Sequence, residues 1–196
     1  WAEQGGDIEL DQLAAMDWAA FTLRDAADIS LGALSSVSDT QFTLTGGSQL
    51  RSTGGAAVYD VRGLVGFRNS CILCDVVTPL ISVADPGTLL DLSAVTSIDA
   101  SYAQVSDDQN RQEVTASAGG NIDLSGVVSI LGPEFRNRET RGGNLQSDQL
   151  RFHAMDMGSV IDLSSLATIE SASRGQVSFW AEQGGDIELD QLAAMD

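Results

Sequence analysis

Apolar residues fall along this chain in a nine-residue rhythm: apolar, acidic or small, Leu or Val, two variable, Leu or Val, two variable, apolar. Ile161-Asp162-Leu163-Ser164-Ser165-Leu166-Ala167-Thr168-Ile169 shows it most clearly. The same order spans Ile8 to Met16, Ile29 to Val37, Tyr59 to Phe67, Leu90 to Ile98, Ile122 to Ile130 and Ile187 to Met195. The first and third positions of each copy point one way and the second points the other, as on a β-strand. The later apolar positions come every third residue, which predicts a bend there.

Two other parts recur around each copy. An alternating stretch precedes it, as in Gln176-Val177-Ser178-Phe179-Trp180-Ala181 or Glu113-Val114-Thr115-Ala116, and period-two alternation with β-branched and aromatic residues predicts a strand. A glycine-rich turn stands between: Gly5-Gly6-Asp7, Gly54-Gly55, Pro86-Gly87, Gly119-Gly120-Asn121, Gly158-Ser159 and Gly184-Gly185-Asp186. The second copy has Ala26-Ala27-Asp28 there, which implies that the positive φ glycine allows is not demanded in every turn. Leu10 to Ala20 could form a helical turn or two by composition, but its alignment with Leu31 to Val37 and Leu163 to Ile169 argues for strand.

Superposing the copies gives four apolar columns. The first is Ile8, Ile29, Tyr59, Leu90, Ile122, Ile161 and Ile187; the second is Leu10, Leu31, Val61, Leu92, Leu124, Leu163 and Leu189. The third runs through Leu13, Leu34, Leu64, Val95, Val127, Leu166 and Leu192, and the fourth through Met16, Val37, Phe67, Ile98, Ile130, Ile169 and Met195. Successive members of each column are tens of positions apart, the spacing of solenoids and similar arrays. One rung cannot bury its own apolar face, whereas rungs stacked at the ~4.8 Å strand spacing can. The predicted fold is therefore all-β, a parallel β-solenoid (β-helix) of about six rungs and a partial seventh.

A longer period is nested over the short one. Residues 1–17 recur without change as 180–196, so a 179-residue period carries Trp1 onto Trp180. Residues 1–196 are expected to form one continuous solenoid segment, an excerpt of a chain that repeats this unit; the alternative is an engineered terminal duplication. Both outer rungs are ordinary repeat sequence without the polar caps a solenoid needs, which suits a continuing chain or an end-to-end stack.

Composition narrows the partners. The formal net charge is −18, and all ten bases are Arg. Such a surface repels nucleic acid and anionic membranes, and no apolar run approaches the ~18 residues of a membrane span. Two Cys are too few for a disulfide scaffold.

The motif resembles the Gly-Gly-x-Ile-Asp-Leu-Ser-x-Leu-x-x-Ile repeats of large bacterial extracellular proteins of the β-strand-repeat type. Gly119 to Ile130 and Gly158 to Ile169 match best, while the Tyr59 copy and the Ala26-Ala27 turn depart from the pattern. The resemblance implies a surface or adhesin-like role and brings no shared catalytic residues or cofactor.

Candidate chemistry is sparse. Stacked in register, Glu9, Ser30, Asp60, Asp91, Asp123, Asp162 and Glu188 would form an outward acidic ladder. Ca²⁺ would relieve the repulsion, with Asp60, Asp91, Asp123 and Asp162 as ligands; against it, the nonapeptide calcium repeat is absent, and hydration or pairing with Arg serves as well. Cys71-Ile72-Leu73-Cys74 is a CxxC without the α/β context of a redox site, so a local disulfide or two buried thiols is expected. His153 reads as a surface strand residue. The acids are spread one per rung instead of gathered as a glycosidase needs, so no catalytic residue is assigned. The longest variable stretch, Leu131 to Gln149, carries Glu134, Arg136, Arg138, Glu139 and Arg141 and reads as a surface loop.

The expected function is a non-enzymatic structural segment of an extracellular fibre, filament or adhesin shaft whose partners are further copies of itself. The alternative is a cell-surface module presenting loop 131–149, or a flat strand face, to a carbohydrate or protein ligand.

Overall fold

The computed structural model describes residues 4–52, 54–64, 75–102, 109–134, 148–171 and 175–195. Their regular structure is entirely β, in repeating coils of three strands. Coil 1 is β1 (Asp7–Leu10), β2 (Ala15–Asp17) and β3 (Ala20–Leu23); coil 2 is β4 (Asp28–Leu31), β5 (Leu34–Ser38) and β6 (Gln41–Leu44). Coil 3 is β7 (Gln49–Ser52), β8 (Gly55–Asp60) and β9 (Asp75–Ala84); coil 4 is β10 (Leu89–Asp91), β11 (Val95–Asp99) and β12 (Gln109–Ser117). Coil 5 is β13 (Asn121–Asp123), β14 (Ser129–Gly132) and β15 (Gln149–Met155); coil 6 is β16 (Val160–Asp162), β17 (Thr168–Ser171) and β18 (Gln176–Glu182). A seventh coil contributes β19 (Asp186–Glu188) and β20 (Ala194–Met195).

Corresponding strands pair in parallel from coil to coil. The first sheet runs β1-β4-β7-β10-β13-β16-β19, the second β2-β5-β8-β11-β14-β17-β20, and the third β3-β6-β9-β12-β15-β18. Six full coils and part of a seventh form a parallel β-solenoid, as the sequence predicts. Cys71 and Cys74 lie outside the described residues, as does most of loop 131–149; of that loop, Leu131 and Gly132 already belong to β14 and Gln149 to β15.

The core is a set of columns running across the coils. In the first sheet Ile8 pairs with Ile29, Ile29 with Leu50, Leu50 with Leu90, and the column continues through Ile122, Ile161 and Ile187. Leu10, Leu31, Leu92, Leu124, Leu163 and Leu189 stand two positions on. Ile29, Leu31, Leu90, Leu92, Ile122, Leu124, Ile161 and Leu163 are fully or almost fully buried, while Ile8, Leu10, Ile187 and Leu189 on the outer coils are partly covered. The third sheet adds a column through Phe21, Phe42, Ile81, Val114, Phe152 and Phe179. Its phenyl rings stack in pairs, Phe21 on Phe42 at 5.5 Å and Phe152 on Phe179 at 5.2 Å, which are favourable offset geometries.

Coil 3 departs from the expected register. Leu50, not Tyr59, occupies the first column, between Ile29 and Leu90. The chain therefore takes a short step into coil 3 and a long one out of it, where the sequence pattern implied two steps of nearly equal length. Tyr59 stands instead in the fourth column, between Val37 and Ile98. Ser52 takes the second column opposite Leu31, and Ala57 pairs with Val95 in the third. Val61 is buried beyond Tyr59, Leu64 is half-buried against the core, and Phe67 lies outside the described residues. The local run Tyr59-Asp60-Val61 imitates the motif start, but the preceding turn at Gly46-Gly47 makes Leu50 the start of the coil.

The turn entering the first sheet uses two positive-φ residues in every coil, in a shorter and a longer form. Consecutive residues take positive φ at Gln4-Gly5, Asp25-Ala26, Gly46-Gly47, Ala118-Gly119 and Gln183-Gly184. Coils 4 and 6 insert one residue between their positive-φ positions, Asp85 and Gly87, Asp156 and Gly158. The expectation from Ala26-Ala27 is therefore overturned: Ala26 itself has φ 58° and Asp25 57°, because the amide of Ala26 must reach the carbonyl of Gly46 (2.8 Å). The longer turns cap the shorter ones beneath them. Asp85 Oδ2 accepts the amide of Gly46 and Thr88 Oγ1 that of Gly47, both at 2.9 Å. Asp156 and Ser159 do the same for Ala118 and Gly119.

Candidate functional site

Each sheet turns a different chemistry outward. On the first sheet the row beside the core columns is Glu9, Ser30, Arg51, Asp91, Asp123, Asp162 and Glu188. The predicted ladder exists except at coil 3, where Arg51 stands in place of Asp60 and pairs with Asp28 at 3.2 Å. A second outward row runs Asp7, Asp28, Gln49, Leu89, Asn121, Val160, Asp186. This face is therefore strongly acidic. Its like charges are felt at Glu188, whose carboxyl is raised above the ordinary glutamate value chiefly by Asp162.

The aspartates of the ladder have a local task. Asp91 Oδ1 accepts the amide and the hydroxyl of Ser93 at 3.0 and 2.7 Å. Asp123 Oδ1 accepts the amide of Ser125, and Asp162 Oδ1 that of Ser164, both at 2.9 Å. These are Asx turns, in which a carboxylate two residues back satisfies an amide that has left the strand ladder. The Asp-Leu-Ser triplet thus makes the corner between the first and second sheets. No three His, Cys, Asp or Glu side chains converge as a metal would need among the described residues.

Asp60 lies on the second sheet, in the row Asp17, Ser38, Asp60, Asp99, Leu131, Glu170. The Arg62 guanidinium bonds Asp60 and lies 3.5 Å from Asp99, and this pairing holds the Asp60 carboxyl below its ordinary range. Farther along, an open groove of about 370 Å³ is lined by Val58, Ser97, Asp99, Ser129, Leu131 and Glu170. Its ionisable lining is acidic.

The third sheet differs from both. Thr22, Thr43, Ser82, Thr115, His153 and Trp180 stand in one register row across its outer face. His153 is on a strand as expected, but it is buried at 8% exposure and not the surface residue the sequence suggested, because Glu182 and Trp180 pack over its ring. Its Nε2 lies 3.1 Å from Glu182 Oε1, and its ring is 5.7 Å from that of Trp180. The Arg151 guanidinium sits 4.1 Å from the Trp180 ring centroid, a cation–π contact. Glu113 reaches Arg111 Nε at 2.7 Å and Arg151 Nη1 at 3.7 Å. More than half of Trp180 remains open, at 53% exposure.

This cluster is the part of the surface that reading single motifs misses. Its residues come from positions 111, 113, 151, 153, 180 and 182, brought together by unequal insertions. The available signal was the outward half of each alternating strand, Arg151-x-His153 and Gln176-x-Ser178-x-Trp180-x-Glu182. No helix among the described residues is long and apolar enough to cross a membrane. Compared with known proteins, the chain matches no family model, no curated protein and no solved structure.

Proposed function

We propose that this chain is a structural, non-enzymatic repeat segment of a long extracellular fibre, filament or adhesin shaft, built by continuation of the solenoid. One observation carries this reading. The same seventeen-residue sequence accepts two different neighbours: Ile8 pairs upward with Ile29, and its copy Ile187 pairs downward with Ile161. The copies build the same local structure, with φ of 56° and 71° at Gln4 and Gly5 against 55° and 88° at Gln183 and Gly184. The first two strands of a coil of this sequence therefore fit both above coil 6 and below coil 2, which supports propagation of the columns of the first and second sheets. The Asx-turn role of Asp91, Asp123 and Asp162 further supports a scaffold, since these carboxylates are bonded to their own chain.

Electron microscopy of the native material tests the proposal. The expected result is long fibres with an axial repeat of ~4.8 Å and a superperiod of six rungs, roughly 29 Å. Discrete particles without that axial order would reject it.

A further inference from the structure

We infer that the outer face of the third sheet binds a neutral polysaccharide, with Trp180 as the stacking platform. An isolated exposed aromatic needs no function, but three features set Trp180 apart. Arg151 and His153 pack against the indole and hold it in place, while 53% of the residue stays in solvent. Beside it on the outward side of β18 and β15 are Gln176, Ser178 and Gln149, and the Gln149 amide already donates to Gln176 Oε1 at 3.1 Å. The row continues away from it as the hydroxyls of Thr115, Ser82, Thr43 and Thr22, one per strand at ~4.8 Å.

That combination suits a pyranose chain. The C–H face of a sugar packs on an open indole, and its equatorial hydroxyls need donors and acceptors held in a plane, which amides and hydroxyls on a flat sheet provide. Charge selects the ligand class. The chain carries −18 overall, which repels polyanions, and cationic partners are drawn to the carboxylate rows of the first and second sheets. Around Trp180, Arg111 and Arg151 balance Glu113 and Glu182, so an uncharged chain is the partner this face fits. Trp180 stands on the edge strand of the third sheet, and in a continuing solenoid a copy of β3 would lie beside β18 with its Thr22 next to Trp180 in the same outward row.

Native electrophoresis in gels cast with hydroxyethylcellulose, xylan or laminarin tests it. The wild type is expected to be retarded in at least one of these gels relative to a plain gel. Trp1 is followed by the same sixteen residues as Trp180, so both are replaced together: W1A/W180A should lose the retardation while keeping the wild-type thermal melting profile. W18F, altered at an exposed tryptophan (68%) in the corner between the second and third sheets, should retain it. Unretarded wild type in all three gels would overturn the inference. So would retardation that survives in W1A/W180A, or that is lost equally in W18F.

Discussion

Coils 3 and 5 occupy the same architecture with different residues. Coil 5 follows the motif: Ile122, Leu124, Val127 and Ile130 fill the four columns, and each is at most 1% exposed. Coil 3 fills them with Leu50, Ser52, Ala57 and Tyr59. Two small residues stand where coil 5 has Leu and Val, and one large residue stands where it has Ile. The Tyr59 ring meets Phe42 edge-on at 6.2 Å, and its hydroxyl donates to the Thr40 carbonyl at 2.6 Å. Burial pushes that hydroxyl's pKa far up, so it stays a donor at every physiological pH. The comparison teaches that each coil must fill roughly the same cross-section, and that which column carries the volume is free to change. Interiors are close-packed, so the constraint acts on the sum more than on the position.

The sharpest way to break this equivalence is Tyr59→Ala. It removes the largest side chain of coil 3 beside residues too small to collapse into the space, and is expected to cost about 4–5 kcal/mol, at the upper end for core truncations. Ile130→Ala, in the same column of coil 5, should cost about 2–4 kcal/mol. Equilibrium urea unfolding of both variants checks the order, and equal losses would mean that Tyr59 does not carry extra volume.

A milder test separates volume from hydrogen bonding. Tyr59→Phe keeps the ring and leaves the Thr40 carbonyl without its donor, for an expected loss of about 1–2 kcal/mol, read from the same urea curves. Coil 5 fills this column with Ile130, which has no hydroxyl to donate.

The corners give a third comparison. Ala26 holds φ 58° where coil 3 has Gly47 at 76°. Left-handed backbone costs a residue with a Cβ roughly 1–2 kcal/mol more than glycine, and the entropy of the added glycine takes back about 0.4–1 kcal/mol, so Ala26→Gly should raise stability by about 0.5–1 kcal/mol. In the reverse direction, Gly46→Ala would bring a Cβ to 2.9 Å from the backbone nitrogen of Asp25, and should destabilise. Denaturation midpoints of the two variants are expected to move in opposite directions.

The smallest effect concerns the acidic ladder. The Glu188 carboxyl is raised by neighbouring charge, so the folded state holds this proton more tightly than the unfolded chain. The associated stability is present below the ordinary glutamate value of 4.5 and is lost as pH rises through the folded value. Glu188→Gln should therefore raise Tm at pH 7 by about 1 °C or less, and the gain should vanish at acid pH, below that ordinary value, and shrink in high salt. A Tm gain that persists at low pH would assign the effect to packing.

Much of this was legible in the chain. Ile-Asp-Leu-Ser repeated at Ile122 and Ile161 predicts an inward-outward-inward strand followed by a corner, because side-chain alternation and the Asx turn are both local properties. The long repeat that carries Trp1 onto Trp180 likewise shows that one coil sequence serves two neighbours. Coil 3 was misread because Tyr59-Asp60-Val61 satisfies the same local pattern at the wrong place, and only the pairing of Leu50 with Ile29 and Leu90 decides between them. Ala26 misled in a related way: composition reports a preference for glycine, whereas the hydrogen bond to Gly46 imposes the conformation whichever residue is present.

By itself, then, the sequence determined the class of fold, the number of coils and most of the core columns, since these follow from periodicities that a single strand already contains. The tertiary structure alone decided the register of coil 3, the exchange of Asp60 for Arg51 in the ladder, and the gathering of Arg111, Glu113, Arg151, His153, Trp180 and Glu182 on one face. Those depend on which strands lie side by side. Partners as distant in sequence as Leu50 and Leu90 are matched by close packing of the whole cross-section and by backbone pairing between neighbours, neither of which is written in any one segment.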